Sequence, residues 1–131
     1  MVKRVSAVTY VVPDYDEGIA FFCGSLGFVL VEDTALTPQK RWVLVAPDQN
    51  SETRFLLAKA DGDRQVTAIG NQTGGRVGFF LETDDFDRDH RKFLTNHVTF
   101  EEEPRIEPYG KVAVFRDPWG NRWDLIEFTQ S

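Results

Sequence analysis

The sequence predicts an α+β fold made of two tandem βαβββ modules. In each half of the chain, strand-like apolar runs surround one amphipathic, helix-like segment. The two halves also echo each other, since DYD at 14–16 recurs as DFD at 85–87, and TRFLL at 53–57 recurs as NRWDL at 121–125. A repeat of about 70 residues indicates two copies of one structural unit. We therefore predict a single domain, 1–131, with module 1 at about 1–60, a connector at 61–75 and module 2 at about 76–131.

The first module follows the order strand, helix and three strands. VSAVTYVV at 5–12 is rich in β-branched residues, which favour strands. Asp14 is a favoured helix N-cap, Glu17 follows three residues later, and Gly27 ends the helix. Apolar residues with helical spacing form the predicted buried stripe: Ile19, Phe22, Cys23 and Leu26. The other predicted strands are FVLVED at 28–33, RWVLVAP at 41–47 and TRFLLAKA at 53–60.

The second module repeats this order after a glycine-containing connector, which we predict to be a loop. Its helix is predicted over 84–98 with Asp84 or Asp85 as the N-cap. His90 and His97 lie on this predicted helix, where we expect them to pack it against the sheet. Asp117-Pro-Trp-Gly has the residue preferences of a type I turn. The predicted strands are 76–83, 99–104, 110–117 and 122–129.

Composition narrows the classes of partner. A net charge of −6 with scattered Lys and Arg residues argues against nucleic acid, which is bound through clustered basic groups. No apolar run approaches the length of a membrane span, and the N-terminus lacks the layout of a signal peptide. A single cysteine, Cys23, excludes an intrachain disulfide and favours a reducing, cytoplasmic setting. Small molecules and other proteins remain as the expected partners.

Four segments carry a resemblance to a known family, and together they cover nearly the whole chain. They are VVPDYDEGIAFFCGSLGFVLVEDT at 11–34, RWVLVAP at 41–47, FFLETDDF at 79–86 and YGKVAVFRDPWGNRWDLIE at 109–127. With these segments the chain resembles the vicinal oxygen chelate superfamily of glyoxalase I, bleomycin-resistance proteins and extradiol dioxygenases. The resemblance implies a cup-shaped, half-barrel mixed sheet with helices on its convex side. It also implies a homodimer, whose side-by-side or swapped arrangement the sequence leaves open.

The same resemblance allows the family's metal site to be tested residue by residue. Enzymes of the family hold a divalent metal with four side chains, one on the first and one on the last strand of each module. The corresponding positions are Ala7, Leu56, Gly78 (or Val77, if the count starts from Asp84) and Asp124. Because only Asp124 offers a lone pair, we expect no metal and no other cofactor. His90 and His97 cannot share an ion, because seven residues of helix separate them by about 10.5 Å.

One weaker metal alternative remains. Glu82 lies an even number of residues from Gly78, so a regular strand would present both on one face. Together with Asp124 it could form a two-carboxylate site for a hard cation completed by water. Such a site would make the protein a divergent, metal-dependent lyase or dioxygenase, so the sequence leaves open whether the chain is an enzyme.

Strand alternation predicts a largely apolar ligand pocket in the cup. Asp124 within it should pair with Arg122, Arg54 or Arg76, since a lone buried carboxylate is costly. Alternation alone does not orient Trp42 or Tyr109. The predicted pocket residues are Thr9, Arg54, Leu56, Arg76, Gly78, Phe80, Arg122, Asp124 and Ile126.

Three functions follow from these observations. The first is a metal-independent, homodimeric protein that binds a small, partly aromatic or cationic molecule. The second is the divergent lyase or dioxygenase that uses Asp124 and Glu82. The third is a scaffold domain whose cup is filled by its own side chains and holds no ligand.

Overall fold

The computed structural model describes residues 2–130. The chain forms two compact units, Met1–Ile69 and Gly70–Ser131, which we call the first and second units. Each unit holds a mixed sheet with a helix, so the predicted α+β fold of two βαβββ-like modules is confirmed. Within the described residues, no helix is both long and apolar enough to cross a membrane.

The first unit contains a four-stranded sheet. Its strand order is β1-β4-β3-β2, with β1 parallel to β4 and the other pairs antiparallel. All four strands lie within about two residues of their predicted positions. They are β1 (Ala7–Val12), β2 (Val29–Ala35), β3 (Arg41–Ala46) and β4 (Arg54–Lys59).

The helix of the first unit changes its winding along its length. Asp14 caps it as predicted, because its carboxylate accepts a hydrogen bond of 3.1 Å from the Glu17 N–H. Helix α1 (Tyr15–Ile19) runs into a π-helical segment, Ala20–Ser25, and Gly27 with φ of 75° follows its end. The wider π-helical turn was not predicted and shifts the buried stripe. Consequently Phe21 is buried in addition to Phe22, whereas Cys23 is only half-buried.

An aromatic cluster forms the core between this helix and the sheet. The Phe22 ring lies 5.0 Å from Tyr10 and 5.3 Å from Phe28, measured between ring centroids. Phe55 on β4 stacks on Phe22 at 5.9 Å. These contacts place the core on one face of the sheet and leave the opposite face available for a site.

The connector is not entirely a loop. Residues Asp63–Ala68 form a short helix, α2, none of whose residues is buried. The prediction of a loop throughout 61–75 was therefore wrong for this segment. Without a buried apolar face, α2 has no hydrophobic periodicity by which the sequence could reveal it.

The second unit contains a five-stranded sheet in which β9 and β8 are central. The path is β5-β9-β8-β6, and β7 also pairs with β8. Only β5 and β9 are parallel. The strands are β5 (Val77–Glu82), β6 (Thr99–Phe100), β7 (Arg105–Glu107), β8 (Gly110–Arg116) and β9 (Arg122–Phe128).

The strand predicted over 99–104 is interrupted. Only Thr99–Phe100 pair as β6, and pairing with β8 resumes at Arg105 as the unpredicted β7. Between them, the Glu102 carboxylate accepts a hydrogen bond of 2.9 Å from the Val114 N–H. Pro104 has no N–H to give to a ladder. A side chain thus takes over the hydrogen bond that a continuous strand would have made.

Helix α3 (Phe86–Thr95) is shorter than the predicted 84–98. Asp85, one of the two predicted N-caps, accepts a hydrogen bond of 3.1 Å from the Arg88 N–H. His97 lies beyond the helix with φ of 65°, so placing it on the helix was wrong. His90 packs as predicted, with its ring 5.4 Å from Phe86 and 4.6 Å from Phe100.

The predicted turn at Asp117 is held by its own carboxylate. Asp117 is 4% exposed and accepts hydrogen bonds from the N–H groups of Trp119, Gly120 and Asn121 at 2.8–3.0 Å. The Asn121 side-chain amide donates to its second oxygen at 2.7 Å. These bonds fix the connection between β8 and β9.

Candidate functional site

The first unit carries a cavity whose lining includes part of the sheet face opposite the aromatic core. Thr9 on β1 pairs with Leu56 on β4, which pairs with Leu44 on β3, so these three side chains share that face. Thr9, Leu56 and Ala58 line a cavity of about 590 Å³. This volume is typical of small-molecule sites. Two of the residues predicted to line a pocket, Thr9 and Leu56, are therefore together at one cavity.

Trp42 is the largest side chain that lines this cavity. It lies on β3 two residues before Leu44, and therefore on the same face, and it lines the cavity while remaining 39% exposed. Sequence alternation left its orientation open because the register of β3 against β4 was unknown. The pairing of Val43 with Leu57 supplies that register.

Polar groups around the cavity come mainly from loops. Lys40 precedes β3, while Lys59 and Asp61 lie at and just beyond the end of β4. Gln65 on α2 also lines the cavity, and its side chain accepts a hydrogen bond of 2.9 Å from the Asp61 N–H. None of the four residues was predicted from the sequence. The local signal for Lys59, Asp61 and Gln65 is the run of polar residues at and after the end of β4, whereas Lys40 lies before β3.

Arg41 fixes the wall of the cavity beside Trp42. Its guanidinium binds Asp33 on β2 at 2.7 and 3.1 Å and Asp16 on α1 at 2.9 Å, and it lies 5.2 Å from the centroid of the Tyr15 ring. The hydrogen bonds from Arg41 lower the pKa of Asp33 below its ordinary value. Arg41 is therefore committed to structure and has little capacity left for a ligand.

Arg54 shares the cavity face but not the cavity lining. It pairs with Ala7 and lies two residues before Leu56. Its Nε is buried and has no hydrogen-bond partner within the described part of the chain.

In the second unit, Asp124 lies in a row with Phe80 and Val114. Both residues are direct neighbours of Asp124 across the sheet, so the three side chains point to one face. Trp123 and Leu125 point to the other face and are buried, as alternation predicted. Ile126, another predicted pocket residue, shares the face of Asp124 and is buried.

A register shift at Gly78 corrects part of the predicted pocket. Val77 is opposite Arg122 and Phe79 is opposite Trp123, so Gly78 is an extra residue in β5. The unbroken alternation that placed Arg76 and Gly78 on one face with Phe80 was wrong, and Val77 takes that place. A side chain at Gly78 would also collide with Thr73, since an added Cβ would lie 2.2 Å from the Thr73 methyl carbon.

The predicted ion pair of Asp124 is absent. Arg122 instead binds the Glu101 carboxylate at 2.8 and 3.1 Å and the Gly75 carbonyl at 3.2 Å. Asp124 forms no salt bridge with any residue in the range 2–130, and its Oδ1 is buried without a hydrogen-bond partner there. For Arg122 the prediction failed because Glu101, which is distant in sequence, already binds its guanidinium.

Burial governs the protonation of Asp124. It raises the pKa of this carboxyl above its ordinary value, Arg105 and Arg122 oppose the increase, and Glu102 adds to it. Arg105 itself is bound to Glu102 and Glu107, each at 2.9 Å. Asp124 is thus the acid left without a partner in a group of otherwise paired charges.

The residues at the family's metal positions do not fit a transition-metal site. Ala7, Leu56 and either Gly78 or Val77 carry no donor atom, and Asp124 alone cannot supply a ligand set. Among residues 2–130, no three His, Cys, Asp or Glu side chains are grouped so as to hold a metal ion. Glu82 is exposed and pairs with Ile126. It therefore lies two residues farther along β5 than Phe80, which is the residue paired with Asp124.

Comparison with known proteins identifies the family. A model of the Glyoxalase/Bleomycin resistance protein/Dioxygenase superfamily matches residues 4–125. The chain belongs to this superfamily. An uncharacterized protein of Shewanella frigidimarina (strain NCIMB 400) is 44% identical to this chain over 128 residues, which cover 97% of this chain and 95% of that protein.

Solved structures agree with this assignment. UcmS2 is 30% identical, with a TM-score of 0.81 over 96% of this chain and 98% of its own. TnmS3 from Streptomyces sp. CB03234, described as an antibiotic-binding protein, is 26% identical, with a TM-score of 0.77 over 98% of each chain. A protein of similar structure is therefore described by what it binds.

Proposed function

We propose that this member of the superfamily is a metal-independent small-molecule-binding protein whose ligand occupies the cavity of the first unit. The observation that carries the proposal is Trp42, an indole left 39% exposed on the wall of a cavity of about 590 Å³. Aromatic surface with a few polar groups nearby is typical of ligand sites. The likeness to the antibiotic-binding TnmS3 supports the same conclusion.

The cavity favours an amphiphilic ligand with a flat apolar part. Trp42, Leu56 and Ala58 offer apolar surface, whereas Lys40, Lys59, Asp61 and Gln65 offer charges and hydrogen bonds. None of these contacts requires a metal ion. The presence of a cavity also argues against a scaffold domain, which we expected to be filled by its own side chains.

Homodimerisation and a cytoplasmic location complete the proposal. The first rests on the resemblance to the superfamily, and the second on the single Cys23.

A thermal-shift screen with amphiphilic antibiotics tests the proposed function. A ligand present at 100 times its dissociation constant stabilises the folded protein by about 2.7 kcal/mol. For any antibiotic that raises the Tm, we expect Trp42→Ala to abolish most of the increase. Leu94→Ala is the matched control, because Leu94 is an exposed apolar residue on α3, outside the cavity.

Two outcomes would contradict the proposal. One is a panel in which no antibiotic changes the Tm of the native chain. The other is an antibiotic whose effect is equally large in the Trp42→Ala and Leu94→Ala variants.

A further inference from the structure

Arg54 brings a positive charge to the cavity face of the first sheet without an acidic partner. The side chain is half-buried, and its Nε is buried with no hydrogen-bond partner among the described residues. No salt bridge links it to an acid within residues 2–130. An arginine is always charged in proteins, and a buried charge without a partner is unfavourable. Arg54 thus differs from Arg41 of the same sheet, which binds two aspartates.

The strands around Arg54 offer no carboxylate to neutralise it. Strands β1, β3 and β4 contain no Asp or Glu. On β2, Glu32 is opposite Leu44, and Leu44 is opposite Leu56 on β4, so Glu32 lies two strands away from β4, at about 9.6 Å. Its carboxylate also accepts a hydrogen bond of 3.1 Å from the Thr34 hydroxyl. The donor at Arg54 is therefore available to an acceptor that comes from a ligand.

Cations also outnumber acids in the lining of the cavity. Lys40 and Lys59 both line it, and neither forms a salt bridge in the part of the chain from residue 2 to residue 130. Asp61 is the acid of the lining. Because the whole chain has a net charge of −6, this excess of positive charge is local to the cavity and does not reflect the overall composition.

We propose that Arg54 selects ligands of the first-unit cavity that carry a carboxylate attached to a flat apolar part. The planar guanidinium matches the geometry of a carboxylate, which would bind it while the apolar part covers Leu56 and Trp42. The proposal rests on the proposed function, because it names the ligand class of the same cavity. An anion differs from the cationic class that the sequence led us to expect.

The register of the sheet sets the length of such a ligand. Leu44 is opposite Leu56, so Trp42 lies level with Ala58 in the antiparallel pair of β3 and β4. Arg54 is four residues before Ala58, which corresponds to roughly 13 Å along the strand. We therefore expect an elongated molecule that has its aromatic part at one end and its carboxylate at the other.

Three biphenyl compounds are matched probes for this selection. Biphenyl-4-carboxylate, biphenyl-4-carboxamide and 4-phenylbenzylamine share the rings, but they are negative, neutral and positive at neutral pH. We expect the carboxylate to bind at least about tenfold more tightly than the carboxamide, and the amine to bind most weakly. Two-dimensional NMR of the labelled chain measures these affinities through the backbone amide signals of Trp42, Arg54 and Leu56. Added salt should weaken binding of the carboxylate and leave the carboxamide nearly unchanged.

Variants of Arg54 separate its charge from a general structural role. Arg54→Gln removes the charge, so it should weaken binding of the carboxylate about tenfold or more and hardly change binding of the carboxamide. Arg54→Lys keeps the charge and should restore part of the preference for the carboxylate. Arg91→Gln is the matched control, because Arg91 is exposed on α3 and does not line the cavity.

Two results would overturn the role of Arg54 and leave the proposed function standing. One is equal affinity of the three probes with shifts at Trp42 and Leu56, and the other is an Arg54→Gln variant that keeps the native preference. If no probe shifts the signals of the cavity residues at millimolar concentration, the selection by Arg54 is wrong. The antibiotic screen with Trp42→Ala then decides separately on the proposed function. If Arg54→Gln does not fold, the comparison of the three probes on the native chain still tests the selection.

Discussion

Two aspartates of the second unit show how the environment decides the role of a residue. Asp117 accepts four hydrogen bonds within one turn, and its function is structural. Asp124 lies only a few residues later, yet its Oδ1 has no hydrogen-bond partner among the described residues. The sequence identified the first correctly because Asp-Pro-Trp-Gly is a local pattern. The surroundings of Asp124 depend on Glu101, Glu102 and Arg105, whose positions come from a different part of the chain.

At the scale of elements, local sequence patterns predicted the strands and helix starts that depend on residues close together in the chain. Strands β1, β3, β4, β8 and β9 follow from their apolar, β-branched composition. Both helix starts follow from Asp14 and Asp85, whose carboxylates make the expected cap bonds. The failures have a different origin, since the break between β6 and β7 depends on a side chain reaching a neighbouring strand.

Two glycines of the connector offer a matched test of local packing. Gly70 and Gly74 both have positive φ, 72° and 69°. A Cβ at Gly70 would lie 1.8 Å from the Trp119 carbonyl oxygen, whereas a Cβ at Gly74 would meet no atom within 4 Å. We expect Gly74→Ala to cost about 1 kcal/mol of unfolding free energy from backbone strain alone, and Gly70→Ala about 3 kcal/mol or more.

Urea denaturation measures both variants. Equal destabilisation would show that the close approach of residue 70 to the turn at Trp119 contributes nothing beyond φ. A Gly70→Ala variant with the unfolding free energy of the native chain would show that residue 70 does not pack on the turn at Trp119 as described.

At the scale of the whole molecule, the sequence established the fold more firmly than the site. Duplicated patterns and the family resemblance both led to two βαβββ-like modules, which the structure has. Of the predicted pocket residues, Thr9 and Leu56 lie at the first-unit cavity, while Phe80 and Asp124 are paired in the second unit. The register shift at Gly78 and the pairing of Arg122 with Glu101 depend on tertiary contacts, which alternation along one strand does not contain.

Three of the family's four metal-ligand positions carry no donor atom in this chain, so we predict a low metal content for the purified protein. We expect elemental analysis to find less than one equivalent of zinc, nickel, manganese or iron, because a single aspartate cannot hold such an ion against water. Asp124→Ala should leave the measured content unchanged. A stoichiometric metal that disappears in this variant would instead favour the lyase or dioxygenase alternative.

The π-helical segment Ala20–Ser25 is a place within a helix that can lose one residue. A π-helical turn takes up about one residue more than an α-helical turn. Losing one residue there would allow ordinary winding from Tyr15 to the glycine at position 27. The same loss within a strand would reverse the faces of every following side chain. A deletion of one residue is therefore accommodated better at this bulge of the helix than within a strand.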